Sequence, residues 1–116
     1  MRIFACPLLY LSLGFSAATY AAAPGVTDSA ILLGMVNAQS GPAASLGKGM
    51  YHGAMAGFNE INARGGINDR KITLILDDDG YEPDRVSAGT RKMIDEKKVF
   101  ALFGYVGTPT TMAAMP

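Results

Sequence analysis

The residues Ile31-Leu32-Leu33-Gly34-Met35-Val36-Asn37 form a nearly unbroken apolar run that ends at an abrupt change of chemistry, Ala38-Gln39-Ser40-Gly41-Pro42-Ala43-Ala44-Ser45. The run is too short for a typical helix, contains Gly34, and is closed by Gly41-Pro42, so it reads as a strand. A strand that is apolar at successive positions, instead of at every second one, has both faces covered. That is the condition of a parallel sheet packed between helices. A central strand running into a long loop of small and polar residues is therefore predicted. In open α/β sheets, ligands sit at that carboxyl end of the strands.

The 116 residues have the length of one domain, and the N-terminus subtracts from it. Arg2 is followed by a mostly apolar stretch from Ile3 to Ala18 and then by the small residues Ala21-Ala22-Ala23 before Pro24. This is the anatomy of a secretory signal peptide, expected to span 1–21 with cleavage after Ala21. Its apolar core is shorter than the ~20 residues that a membrane span needs. The single cysteine, Cys6, lies too near Arg2 to take a lipid and leaves with this segment. The mature chain then has no thiol for a disulfide or a metal. Removing Arg2 from ten bases leaves nine against ten acids, and Arg91-Lys92 and Lys97-Lys98 merely bracket Asp95-Glu96. Without a basic face, nucleic acid is excluded as a partner.

Residues 22–30 form a polar lead-in to the central strand. From about Ser45 the pattern turns helical: Leu46, Met50, Ala54, Phe58 and Ile61 recur at spacings of four and three, with Met55 beside them. Gly47, Gly49, Gly53 and Gly57 disfavour a helix by ~1 kcal/mol each relative to alanine. Close packing against the sheet is the expected compensation. Gly65-Gly66 ends the helix and Ile67-Asn68-Asp69-Arg70 forms a turn. Lys71 to Leu76 reads as a second strand, its partial alternation suggesting an edge position. Asp77-Asp78-Asp79-Gly80-Tyr81 ends that strand, and a second helix starts at Pro83 with Val86, Thr90, Met93 and Ile94 turned inward. Val99 to Phe103 is a third apolar strand. Thr108 and Pro109 then read as the N-cap and first residue of a third helix.

Strand and helix alternating three times imply an α/β fold, a Rossmann-like open parallel sheet with right-handed crossovers and helices on both faces. So few strands leave the sheet open, which suggests the N-terminal part of a larger protein.

Several chemical signatures come close and fail. Gly41 to Lys48 resembles a phosphate-binding loop, but five residues separate Gly41 from Gly47 where four are required, and Gly49 stands where a hydroxyl should bind magnesium. The glycines from Gly47 to Gly53 miss the dinucleotide spacing by one. Asp77-Asp78-Asp79-Gly80 would place Ile75 and Val86 at the first and last positions of a calcium loop, and neither coordinates the ion. His52, the single histidine, has no metal-ligating helical neighbours. No nucleophile–base pair stands out, so neither an enzyme nor a cofactor is expected.

Ser40-Gly41-Pro42, Leu46-Gly47, the segment Asn59-Glu60-Ile61-Asn62-Ala63-Arg64-Gly65-Gly66-Ile67, Asp77-Asp78 and Phe103-Gly104 together resemble the N-terminal lobe of type I periplasmic solute-binding proteins. The branch it is most similar to is the leucine/isoleucine/valine-binding family of ABC importers, over residues 31–116. The resemblance implies two Rossmann-like lobes closing on an amino acid or similar small polar solute. It also implies sheet order 2-1-3-4-5 in this lobe, a membrane permease as partner and a periplasmic location. A ligand-sensing ectodomain of a receptor or sensor kinase would use the same lobe, and a secreted α/β enzyme would need catalytic groups that this segment lacks.

With that strand order, the crevice lies between the loops after the first and third strands, Ala38–Leu46 and Gly104–Thr111. In the resembling family the first loop supplies a residue that covers the solute, at the position of Leu46 here, and the second a small hydroxyl that binds the head group, at Thr108 here. The candidate ligand-binding residues are therefore Ser45 and Leu46 from one loop and Tyr105, Gly107, Thr108 and Thr111 from the other. The N–H groups of Thr110 and Thr111 are expected to point outward beside them. Leu46 replaces the family's frequent aromatic, and Tyr105-Val106-Gly107-Thr108-Pro109 replaces its serine-rich version.

Overall fold

A computed structural model describes residues 23–115. The segment expected to be a signal peptide lies outside these residues. The elements are β1 (Ala30–Asn37), α1 (Ala44–Ala63), β2 (Lys71–Asp78), α2 (Pro83–Asp95), β3 (Ala101–Leu102) and α3 (Thr108–Ala114). The strands are parallel in the order β2-β1-β3, with Ile31 opposite Ile72, Met35 opposite Leu76 and Gly34 opposite Leu102. The expected parallel α/β architecture is present, and the order matches the 2-1-3 part of the expected one.

Side chains alternate across β1 and so address two different helices. On one face, Val36 meets Gly89 of α2 and Gly34 meets Met93. Val36, Val86, Met93 and Val99 form the buried cluster there, with Leu32, Ile75, Leu102 and Tyr105 against it. On the other face, Met35 and Met50 of α1 both pack over Gly104, and Phe58 lies 5.9 Å from Phe103 between ring centroids. Asn62 of α1 donates to the carbonyl of Ile72 and accepts from its N–H, both at 2.8 Å. One side chain thus satisfies backbone groups of β2 that no further strand among the described residues pairs. Lys71 and Thr73 are exposed, in keeping with the edge position of β2.

Four expectations are corrected. Of the α1 glycines only Gly47 is closely packed, against the Ala38 carbonyl, whereas a Cβ at Gly49, Gly53 or Gly57 would meet nothing within 4 Å. The third strand shrinks to two residues, its ladder with β1 limited to Leu33 opposite Ala101 and Gly34 opposite Leu102, although Phe100 and Phe103 still donate to Leu32 and Gly34 at 2.7 and 2.8 Å. Ile94 is 50% exposed, and Gly89 instead completes the inner stripe of α2 because Val36 needs the room. Finally, α3 is capped by Gly107 at φ 96°, so Thr108 is already helical.

The β3 side of the sheet leaves Phe100 (52% exposed), Phe103 and Met50 open to solvent. An unpaired edge beside apolar side chains is a surface that proteins ordinarily cover.

Candidate functional site

The carboxyl ends of the three strands converge through two side chains. Asn37, the last residue of β1, is fully buried. Its Nδ2 donates to Gly104 O at 3.0 Å and to Gly47 O at 3.5 Å, and its Oδ1 accepts Gln39 Nε2 at 2.6 Å. One amide therefore joins the first turn of α1 to the loop after β3, the two segments expected to flank the crevice.

Asp78 fixes the first loop from the other side. Its carboxylate accepts N–H groups from Gln39 (2.8 Å), Gly80 (2.9 Å) and Ser40 (3.1 Å) and the hydroxyl of Ser40 (2.6 Å). Burial disfavours its charge, but these bonds outweigh that and bring its pKa down to about 2. Arg85 donates to its carbonyl at 2.7 Å. Next to it, Asp79 is buried and behaves in the opposite sense: loss of solvation pushes its carboxyl up, against the N–H of Tyr81 bonded to Oδ1 at 2.7 Å, and Oδ2 has no hydrogen-bond partner among the described residues.

The candidates divide. Ser45 and Leu46 lie in the first turn of α1, exposed, with 63% of Leu46 open to solvent. Thr108 and Thr111 are exposed on α3. The Thr111 N–H is bonded to Gly107 O at 2.9 Å and so does not point free as expected. The buried hydroxyl of the series belongs to Thr110, which donates to Val106 O at 2.6 Å. Tyr105 packs against the α2 cluster and shares a 2.6 Å hydrogen bond with Thr90. Burial raises its phenol pKa, against that bond. Its side chain props the loop from below. Gly107 faces the ring of Tyr81.

Sequence reasoning missed Asn37, Asn62 and Tyr81. Asn37 had one visible signal, a polar residue closing an apolar strand, which reads equally well as turn chemistry.

A hollow of about 250 Å³ between α2 and α3, lined by residues including Thr90, Arg91, Ile94 and Met115, contains none of the candidates. Among the described residues, no group of three or more His, Cys, Asp or Glu is placed to hold a metal, and no helix is long and apolar enough to cross a membrane.

Residues 30–116 match the family described as Periplasmic binding protein. The chain belongs to that family. An amino acid binding protein of Pseudomonas aeruginosa is 33% identical over 84 residues, covering 72% of this chain and 22% of the relative. A possible leucine/isoleucine/valine-binding protein from Rhodopirellula baltica superposes with a TM-score of 0.72 at 42% identity, over 75% of this chain and 24% of that one. A fatty acid ABC transporter substrate-binding protein from Thermomonospora curvata superposes at 0.70 with 32% identity, over 78% and 23%. The chain thus spans under a quarter of the length of these relatives.

Proposed function

We propose that residues 31–116 open the N-terminal lobe of an extracytoplasmic solute-binding protein, exported by a signal peptide at 1–21 and joined to it by a lead-in at 22–30. The protein captures an amino acid or similar small polar solute between two lobes and delivers it to the permease of an ABC importer in the periplasm. The observation that carries this reading is the Asn37 bridge, which holds the loops after β1 and β3 together at the switch point of the sheet. The amino acid and branched-chain relatives support the solute class.

In this reading Thr108, exposed and with no side-chain hydrogen bond among the described residues, supplies a hydroxyl to the solute head group, and the exposed Ser45 and Thr111 are further candidates to contact it. Leu46 covers the solute with an apolar side chain. The fatty acid relative makes an apolar chain the competing solute.

The test is calorimetric titration of the full-length protein, the reading frame followed beyond Pro116. The panel is L-leucine, L-valine, L-alanine, L-phenylalanine, L-glutamate and L-arginine, with palmitate alongside. Micromolar or tighter binding of an amino acid is expected. Binding of palmitate alone would refute the solute class, and binding of none would refute the role.

A further inference from the structure

Tyr81 follows β2, yet its ring lies on the residue that starts α3. A Cβ placed at Gly107 would fall against that ring, with Cζ and Oη each 2.8 Å away. The contact therefore requires glycine at 107, where φ is also 96°.

Tyr81 itself has φ 70°, a left-handed backbone that a bulky side chain adopts only where its surroundings hold it. The surroundings are in view. Its N–H donates to Asp79 Oδ1 at 2.7 Å, and Asp79 is 1% exposed, with its own N–H on the Asn37 carbonyl at 3.2 Å. On the far side, the Gly107 carbonyl accepts the Thr111 N–H at 2.9 Å and the Thr110 hydroxyl at 3.1 Å. A continuous set of contacts thus runs from the end of β1 through Asp79 and Tyr81 to the first turn of α3.

We infer that Tyr81 is a positioning residue for the crevice: its ring, seated on Gly107, sets where α3 begins and hence where Thr108 stands. The inference rests on the solute-binding reading for its consequence, but the positioning itself is measurable without a solute. The ring carries the effect and the hydroxyl does not. Replacing Tyr81 by Phe preserves the seat, whereas replacing it by Ala empties it and frees the Gly107–Thr111 turn.

The experiment compares the full-length protein with Tyr81→Phe and Tyr81→Ala, by amide hydrogen exchange of peptides covering 107–115 and 48–60 and by titration with the amino acid panel. In Tyr81→Ala, exchange in 107–115 should accelerate ~tenfold or more while 48–60 keeps its rate, because the loosening is local. Amino acid affinity should fall about tenfold. Tyr81→Phe should remain within about twofold of the parent in both readouts.

Unchanged exchange in 107–115, or an equal acceleration in both peptides, would overturn the positioning role. So would Tyr81→Phe losing as much affinity as Tyr81→Ala, since the hydroxyl would then be the group that matters. If the parent binds no amino acid while Tyr81→Ala still loosens 107–115, the solute reading fails and the seat on Gly107 stands.

Discussion

Asp78 holds Ser40 twice, accepting its hydroxyl at 2.6 Å and its N–H at 3.1 Å, so a residue at the end of β2 determines the path of the loop that leaves β1. These bonds form to the ionised carboxylate. With the folded pKa lowered to about 2 and the unfolded one near 3.9, the unfolded chain binds more protons between those values. The stabilisation is present above about pH 4 and is lost as the pH falls toward 2. Discounted for the 33% of the side chain that remains exposed, it amounts to about 1–2 kcal/mol. Asp78→Asn should lose that amount at pH 7 and show a flatter stability profile below pH 4, measured by urea denaturation across pH. Asp79 contributes with the opposite sign, since its raised carboxyl favours the folded state as the pH falls. Because the Asp78 charge is one of the causes that raise Asp79, Asp78→Asn should also reduce that opposing contribution.

Asn37 should tolerate no replacement. Asn37→Ala removes the Asn37 donor from the Gly104 carbonyl, breaks the tie to Gly47 and opens a void in a fully buried site, at a cost of about 2–4 kcal/mol. Asn37→Asp keeps the shape but points an oxygen at both carbonyls, and should cost at least as much at neutral pH. Denaturant melts of the two variants check this. An aspartate variant as stable as the parent would contradict the assigned amide orientation.

Two glycines of α1 should respond with opposite signs. At Gly47 an added methyl collides with the Ala38 backbone, so Gly47→Ala should destabilise by about 2–4 kcal/mol. At Gly53 the methyl meets nothing within 4 Å, and the gain in helix propensity should make Gly53→Ala more stable by about 0.5–1 kcal/mol. Thermal denaturation of both variants decides the pair.

These glycines show where the sequence was legible and where it was not. The apolar run of β1, the edge character of β2 and the starts of α1 and α2 are local patterns, visible because burial selects residue type position by position. Gly47 and Gly53 look alike in sequence, since only the path of another segment, the Ala38 backbone, distinguishes a required glycine from a tolerated one. Ile94 fits the helical period of α2, but position 89, not the period, determines which side chains reach Val36. Thr108 has the chemistry of an N-cap. Gly107 takes that place because its positive φ and the Tyr81 ring admit no side chain. Asn37 and Asn62 act through backbone groups brought together by the fold, and no spacing rule reports such partners. The Ser40-Gly41-Pro42 and Asn-Ala-Arg-Gly-Gly-Ile segments pointed to the family, whereas the roles of individual crevice residues depend on contacts across three loops.

Export should leave a protein beginning at or near Ala22, with Cys6 removed. Intact mass and N-terminal sequencing of the periplasmic fraction test this. An uncleaved chain in the membrane fraction would contradict it.

The most direct measurement is the amino acid affinity of Thr108→Ala in the full-length protein, taken beside its apo melting curve. Gly107, not Thr108, caps α3, and the Thr108 hydroxyl has no hydrogen-bond partner among the described residues, so its removal should leave stability within about 0.5 kcal/mol of the parent. If the hydroxyl binds the charged head group of the solute, affinity should fall by about 1.5–3 kcal/mol, roughly ten- to a hundredfold. Weakened binding with an unshifted melting curve is the expected result. Full affinity in Thr108→Ala would remove this residue, and with it the proposed crevice between the β1 and β3 loops, from solute recognition.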